Sequence, residues 1–152
     1  MQNSKLSAKG GSASGGKTQK GFTLIEILVV LGIIGLLIAF LVPNLLGAQD
    51  RAKETSVKAV MHSVQLAVEA YNMENDSYPM AHNITLKNLC DNYLITNSYL
   101  SSVPKNPFTG LEYTDADVAG KIIYDYNDLE GKYILTGYKR SGITKILELG
   151  NM

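Results

Sequence analysis

The chain has 152 residues, enough for one domain and not two, and its formal charge of zero balances 14 basic against 14 acidic side chains. A single cysteine, Cys90, excludes an intramolecular disulfide and any metal site built on several cysteines. The charge is unevenly placed: residues 1–21 hold Lys5, Lys9, Lys17 and Lys20 and no acid, leaving 10 basic side chains against 14 acids in the remainder, which argues against a nucleic-acid-binding surface.

Residues 7–17 are small and flexible and predict no packed structure. Lysines just before an apolar run mark a cytoplasmic flank. From 22 to 42 the chain carries one charge, Glu26. As a helix this stretch measures about 31 Å, the thickness of a bilayer's hydrocarbon core. It is too long for a signal-peptide core, and Leu41-Val42-Pro43-Asn44-Leu45 offers no Ala-x-Ala cleavage pattern, so a retained span is expected. Pro43 predicts a kink. The helical pattern continues, because Val57, Met61, Val64, Val68 and Tyr71 form one apolar stripe with Lys58, His62, Ser63, Gln65 and Glu69 between them. A helix from 22 to about 74 follows, with an apolar half for lipid and an amphipathic half for a soluble core.

Asn75-Asp76-Ser77-Tyr78-Pro79 ends that helix. A short helix over 86–94 follows from Leu86, Leu89, Cys90, Tyr93 and Leu94, with Asn83 or Thr85 as cap, and it buries Cys90 as a small apolar residue. Residues 97–110, with Pro104, Pro107 and Gly110, read as a loop. Strands are expected at 122–127, 133–138 and 143–149, joined by Asp128-Leu129-Glu130-Gly131 and Lys139-Arg140-Ser141-Gly142 as antiparallel hairpins. His62 and His82 read as solvated side chains. Asn75-Asp76-Ser77 and Asn83-Ile84-Thr85 match a glycosylation pattern but sit at natural turn or cap positions. Phosphate-loop, zinc-protease and serine-nucleophile motifs are absent from the sequence, so no enzyme is expected.

The segment Lys20-Gly21-Phe22-Thr23-Leu24-Ile25-Glu26 carries the functional signal. A carboxylate within a span costs roughly 2.5–3.5 kcal/mol, less near its end, and the position favours a partner. This segment, with the apolar stretch to Pro43, resembles the type IV pilin and type II secretion pseudopilin family. The resemblance implies that a membrane prepilin peptidase cuts between Gly21 and Phe22 and methylates the Phe22 amine. It implies that Glu26, now the fifth residue, pairs with the Phe22 amine of a neighbouring subunit. Such a cut would create a cation at Phe22 beside lipid, and an acid one turn away on another chain would neutralise it and fix axial register, since a misaligned subunit leaves both charges unpaired. The resemblance also implies that the stretch from Gly32 through Gly35 to Pro43 loosens in a filament; Gly32, Gly35 and Ala39 equally suit close helix approach. Tyr78-Pro79 and residues 99–110 are similar to the middle of pseudopilins and short pilins. Major pseudopilins often bind calcium near the end of the sheet; Asp125, Asp128 and Glu130 are the nearest candidates here, in a short turn, and otherwise no cofactor is expected.

The expected fold is α+β and pilin-like, a long N-terminal helix packed on a small antiparallel sheet. The expected divisions are a cleaved basic leader at 1–21, a membrane-spanning and filament-core helix at 22–43, and a soluble domain at 44–152. The expected function is a structural subunit that rests in the inner membrane by one span. With inner-membrane assembly-platform proteins it then polymerises into a homo-oligomeric periplasmic or extracellular filament. That filament is either a type IV pilus for adhesion, motility or DNA uptake, or a secretion pseudopilus. The competing reading is a membrane-tethered periplasmic or surface domain that binds a ligand and never polymerises.

Overall fold

A computed structural model describes residues 21–151, apart from the side chains of Pro43 and Asn44. All of the leader expected at residues 1–21 except Gly21, and the kink expected at Pro43, fall outside what is described. Helix α1 runs Leu24–Asn75 over 52 residues, and the described residues fall into two compact units that divide between Phe40 and Leu41. In the first unit α1 is apolar all round and exposed, from Leu24 at 82% to Phe40 at 70%. Such a helix has its apolar surroundings outside its own chain. Among the described residues it is the one helix long and apolar enough to cross a membrane.

In the second unit α1 becomes amphipathic. Val57, Met61, Val64 and Val68 are fully buried, whereas Lys58, His62 and Ser63 are exposed. The stripe lies against a four-stranded antiparallel sheet of order β1-β2-β3-β4, formed by β1 (Ile84–Thr85), β2 (Ile122–Asn127), β3 (Lys132–Tyr138) and β4 (Lys145–Gly150). Ile122 and Tyr124 of β2 and Tyr133 and Leu135 of β3 alternate inward. A Cβ at Gly137 would collide with Met61 Sδ, so glycine there lets helix and sheet close on each other. Glu69 of α1 accepts hydrogen bonds from Tyr133 Oη at 2.7 Å and Tyr78 Oη at 3.0 Å, which satisfies phenols on the core's rim. Helix α1 ends as Asp76 takes a left-handed φ of 53°.

Several boundaries differ from the sequence expectation. The two-residue β1 pairs with β2 through Ile84↔Tyr124, while Thr85 also caps α2 (Leu86–Leu89) by accepting from Asn88 N. The helix then widens into a π turn, Cys90–Leu94, closed by Ile95 N donating to Cys90 O at 2.8 Å. Strand β4 starts later than expected. Lys139 N donates to Thr144 O at 2.8 Å, which keeps Ile143 in the turn and 81% exposed. The 97–110 loop is pinned by Asn106, which is fully buried. Its Nδ2 donates to Ala119 O at 2.8 Å and Asp117 Oδ2 at 3.1 Å, and its Oδ1 accepts from Phe108 N at 2.9 Å.

Candidate functional site

At the head of α1, Thr23 and Glu26 meet, with Gly21 and Phe22 just before them in the chain. Thr23 N and Thr23 Oγ1 donate to Glu26 Oε2 at 2.9 and 2.8 Å, and Glu26 N donates to Thr23 Oγ1 at 3.3 Å. This is a reciprocal capping box, which satisfies N–H groups at the helix start that lack intrahelical partners. A carboxylate here also faces the positive end of the helix dipole. Both intrachain bonds land on Oε2; Oε1 has none among the described residues. Sequence reasoning placed Glu26 but missed Thr23, although Thr-x-x-Glu before an apolar run is the signature of this cap.

Phe22 is 81% exposed. A Cβ at Gly21, Gly32 or Gly35 would meet nothing within 4 Å, so no contact among the described residues requires glycine at these three positions. Gly32, Gly35 and Pro43 all lie on α1.

The three acids considered for calcium are drawn to separate partners. Asp125 Oδ1 accepts from Asn83 N at 2.9 Å, Asp128 pairs with His82 Nε2 at 3.3 Å, and Glu130 lies 3.9 Å from Lys132 Nζ. Among the described residues no three metal-binding side chains converge. His82 also sets Nδ1 2.8 Å from Tyr126 O, so it ties the end of β2 to the preceding loop instead of being merely solvated. Cys90 is buried, and desolvation, helped by nearby Asp91, pushes its thiol up to about 12, which makes it unreactive.

An exposed apolar helix with an acid fixed at its head, followed by a small antiparallel sheet, defines a protein with one membrane-length helix among its described residues. A family described as "Prokaryotic N-terminal methylation motif" matches residues 16–42. The type IV wide pilus major component PilA4 of Thermus thermophilus is 47% identical over 62 residues, which span 41% of this chain and 47% of that protein. The type II secretion system core protein G of Klebsiella michiganensis is 32% identical over 101 residues, spanning 62% of this chain and 71% of that protein. The same-named protein of Escherichia coli K12 is 33% identical over 98 residues, 59% of this chain and 67% of that protein. The chain spans about half the length of the Thermus relative and more of the two core proteins G. No solved structure matches this chain significantly. The chain belongs to the type IV pilin and type II secretion pseudopilin family, with its pilin-like α+β fold, and is a structural protein, not an enzyme.

Proposed function

We propose that the chain is a filament subunit made as a prepilin. A prepilin peptidase cuts it between Gly21 and Phe22 and methylates the new amine. The apolar turns of α1 hold it in the inner membrane through a single span, and assembly-platform proteins then pass it into a growing homopolymer. The observation that carries this reading is the carboxylate at the head of an exposed apolar helix. Thr23 holds Glu26 through Oε2 and leaves Oε1 for a second partner. A cation delivered by another chain, the Phe22 amine, suits that oxygen in size and charge. The domain divisions at 1–21, 22–43 and 44–152 follow from the same reading.

A secretion pseudopilus is favoured over a retractable pilus by the extent of similarity. A match covering 62% of the chain cannot be contained in residues 1–75, so likeness to core protein G continues beyond α1. N-terminal mass spectrometry of protein from producing cells tests the processing step. A chain beginning at methylated Phe22 is expected; one beginning at Met1 or after Leu41 would refute it.

A further inference from the structure

We propose that the soluble unit docks on the anionic phospholipid headgroups of the membrane that holds its anchor, through the tip of the β3–β4 hairpin and the neighbouring turns of α1. This rests on the reading of α1 as a membrane anchor. Within the second unit, α1 begins with exposed Leu41, Val42, Leu45 and Leu46 and reaches Asp50 one turn later. At ~1.5 Å per residue, Arg51 and Lys53 stand about 12 and 15 Å beyond Pro43, where the span ends. The polar layer of a bilayer is roughly 5–7 Å deep on each side, and charges act over a further ~8 Å at physiological salt.

Ion pairs bring the hairpin tip to the same level. Arg140 pairs with Asp50 at 3.0 Å and Lys139 with Glu54 at 3.4 Å. Arg51, Lys53, Lys139 and Arg140 form a cationic collar, and Phe108, 5.7 Å from Lys53 and 5.8 Å from Arg140 at its ring centre, joins it to the 97–110 loop. Asp50 and Glu54 offset two of the four charges of Arg51, Lys53, Lys139 and Arg140, while Asp115 and Asp117 lie with Lys121 around a separate pocket. Arg51 is exposed and has no ion-pair partner among the described residues.

Apolar side chains stand beside these cations. Ile143 is 81% exposed at the tip, and Val118, 60% exposed, packs so closely on the turn that a Cβ at Gly142 would collide with it. The far end of the unit has the opposite character, with Glu74, Asp76, Asp125, Asp128 and Glu130 around the end of α1 and the β2–β3 turn. Cations beside exposed aliphatic side chains match an interface where phosphates lie over acyl chains.

The test is amide hydrogen exchange on the full chain in lipid nanodiscs, one set of phosphatidylcholine alone and one of equal parts phosphatidylcholine and phosphatidylglycerol. Exchange across 140–144 is expected to slow severalfold in the anionic discs only, to recover in high salt, and to stay unchanged at Leu129 in the opposite turn. Arg51→Gln removes a cation without an intrachain partner and should lower the docked population about fivefold; Ile143→Ser should lower it too. Equal exchange in both lipids would overturn the proposal while leaving the anchor reading intact. So would protection that grows with the number of chains per disc regardless of lipid charge, which would give the collar to a second copy. A chain washed from the discs by alkali would overturn both readings.

Discussion

Asn106→Ala tests how the long loop is held. The side chain makes three hydrogen bonds in a fully buried position, to Ala119 O, Asp117 and Phe108 N. At ~1 kcal/mol net for each, their loss costs about 3 kcal/mol, and a stranded Phe108 N–H or Ala119 carbonyl can add a further ~1 kcal/mol. The loop also positions Phe108, against which Gly120 packs so tightly that a Cβ there would collide with the ring. For a domain of this size about 3–4 kcal/mol corresponds to a fall in Tm of roughly 12–30 °C. Asn106→Asp keeps the bond from Phe108 N but turns the donor toward Asp117 and Ala119 O into an acceptor, so it should be at least as damaging. Thermal denaturation followed by near-ultraviolet circular dichroism measures both. A shift under ~4 °C for Asn106→Ala would show that these hydrogen bonds are replaced by water and do not hold the loop.

Three other outcomes are expected. Residues 45–152 should fold alone, and Val64→Asp, which puts an unpaired charge at a fully buried position, should abolish the cooperative melt of that fragment. The buried Cys90 thiol titrates near 9.0 when unfolded and about 12 when folded, so the unfolded chain loses its proton first and stability falls as pH rises through that window. The slope is about 1.4 kcal/mol per pH unit, and urea titrations of Cys90→Ala, set against the parent from pH 8 upward, should show a shallower decline. Gly21→Trp should block the peptidase and leave an uncut membrane protein on immunoblots, with insertion unaffected.

The sequence made the long-range pattern legible because it repeats. A stripe at helical spacing from Val57 to Tyr71 and three alternating runs each depend on many residues, so α1 and β2–β4 were readable to within a few positions. Features resting on one or two contacts were not. Ile84–Thr85 forms a strand only because β2 arrives beside it, and a two-residue run has no periodicity. Asn106 looks like any polar loop residue until Asp117, Ala119 and Phe108 surround it. His82 gained partners from β2 and the turn after it, over 40 residues away in sequence. At the site itself, Gly21, Phe22 and Glu26 stood out because a charge interrupts an apolar run. Thr23 is legible only through its cap pattern, Thr-x-x-Glu, because a threonine at the edge of an apolar run does not break the hydropathy as a charge does.

Filament yield per cleaved subunit in Glu26→Gln tests the proposed neutralisation of a neighbouring subunit's amine by Glu26 during assembly. The amide preserves size and can still accept a bond from Thr23, so the helix start is retained while the charge is lost. Insertion should be normal or better, since the span becomes less polar. Shearing and electron microscopy, set against mass spectrometry of the cleaved pool, should find processed monomers accumulating in the membrane with filaments sharply reduced. Wild-type yield per cleaved subunit would contradict the claim and favour a tethered domain that does not polymerise.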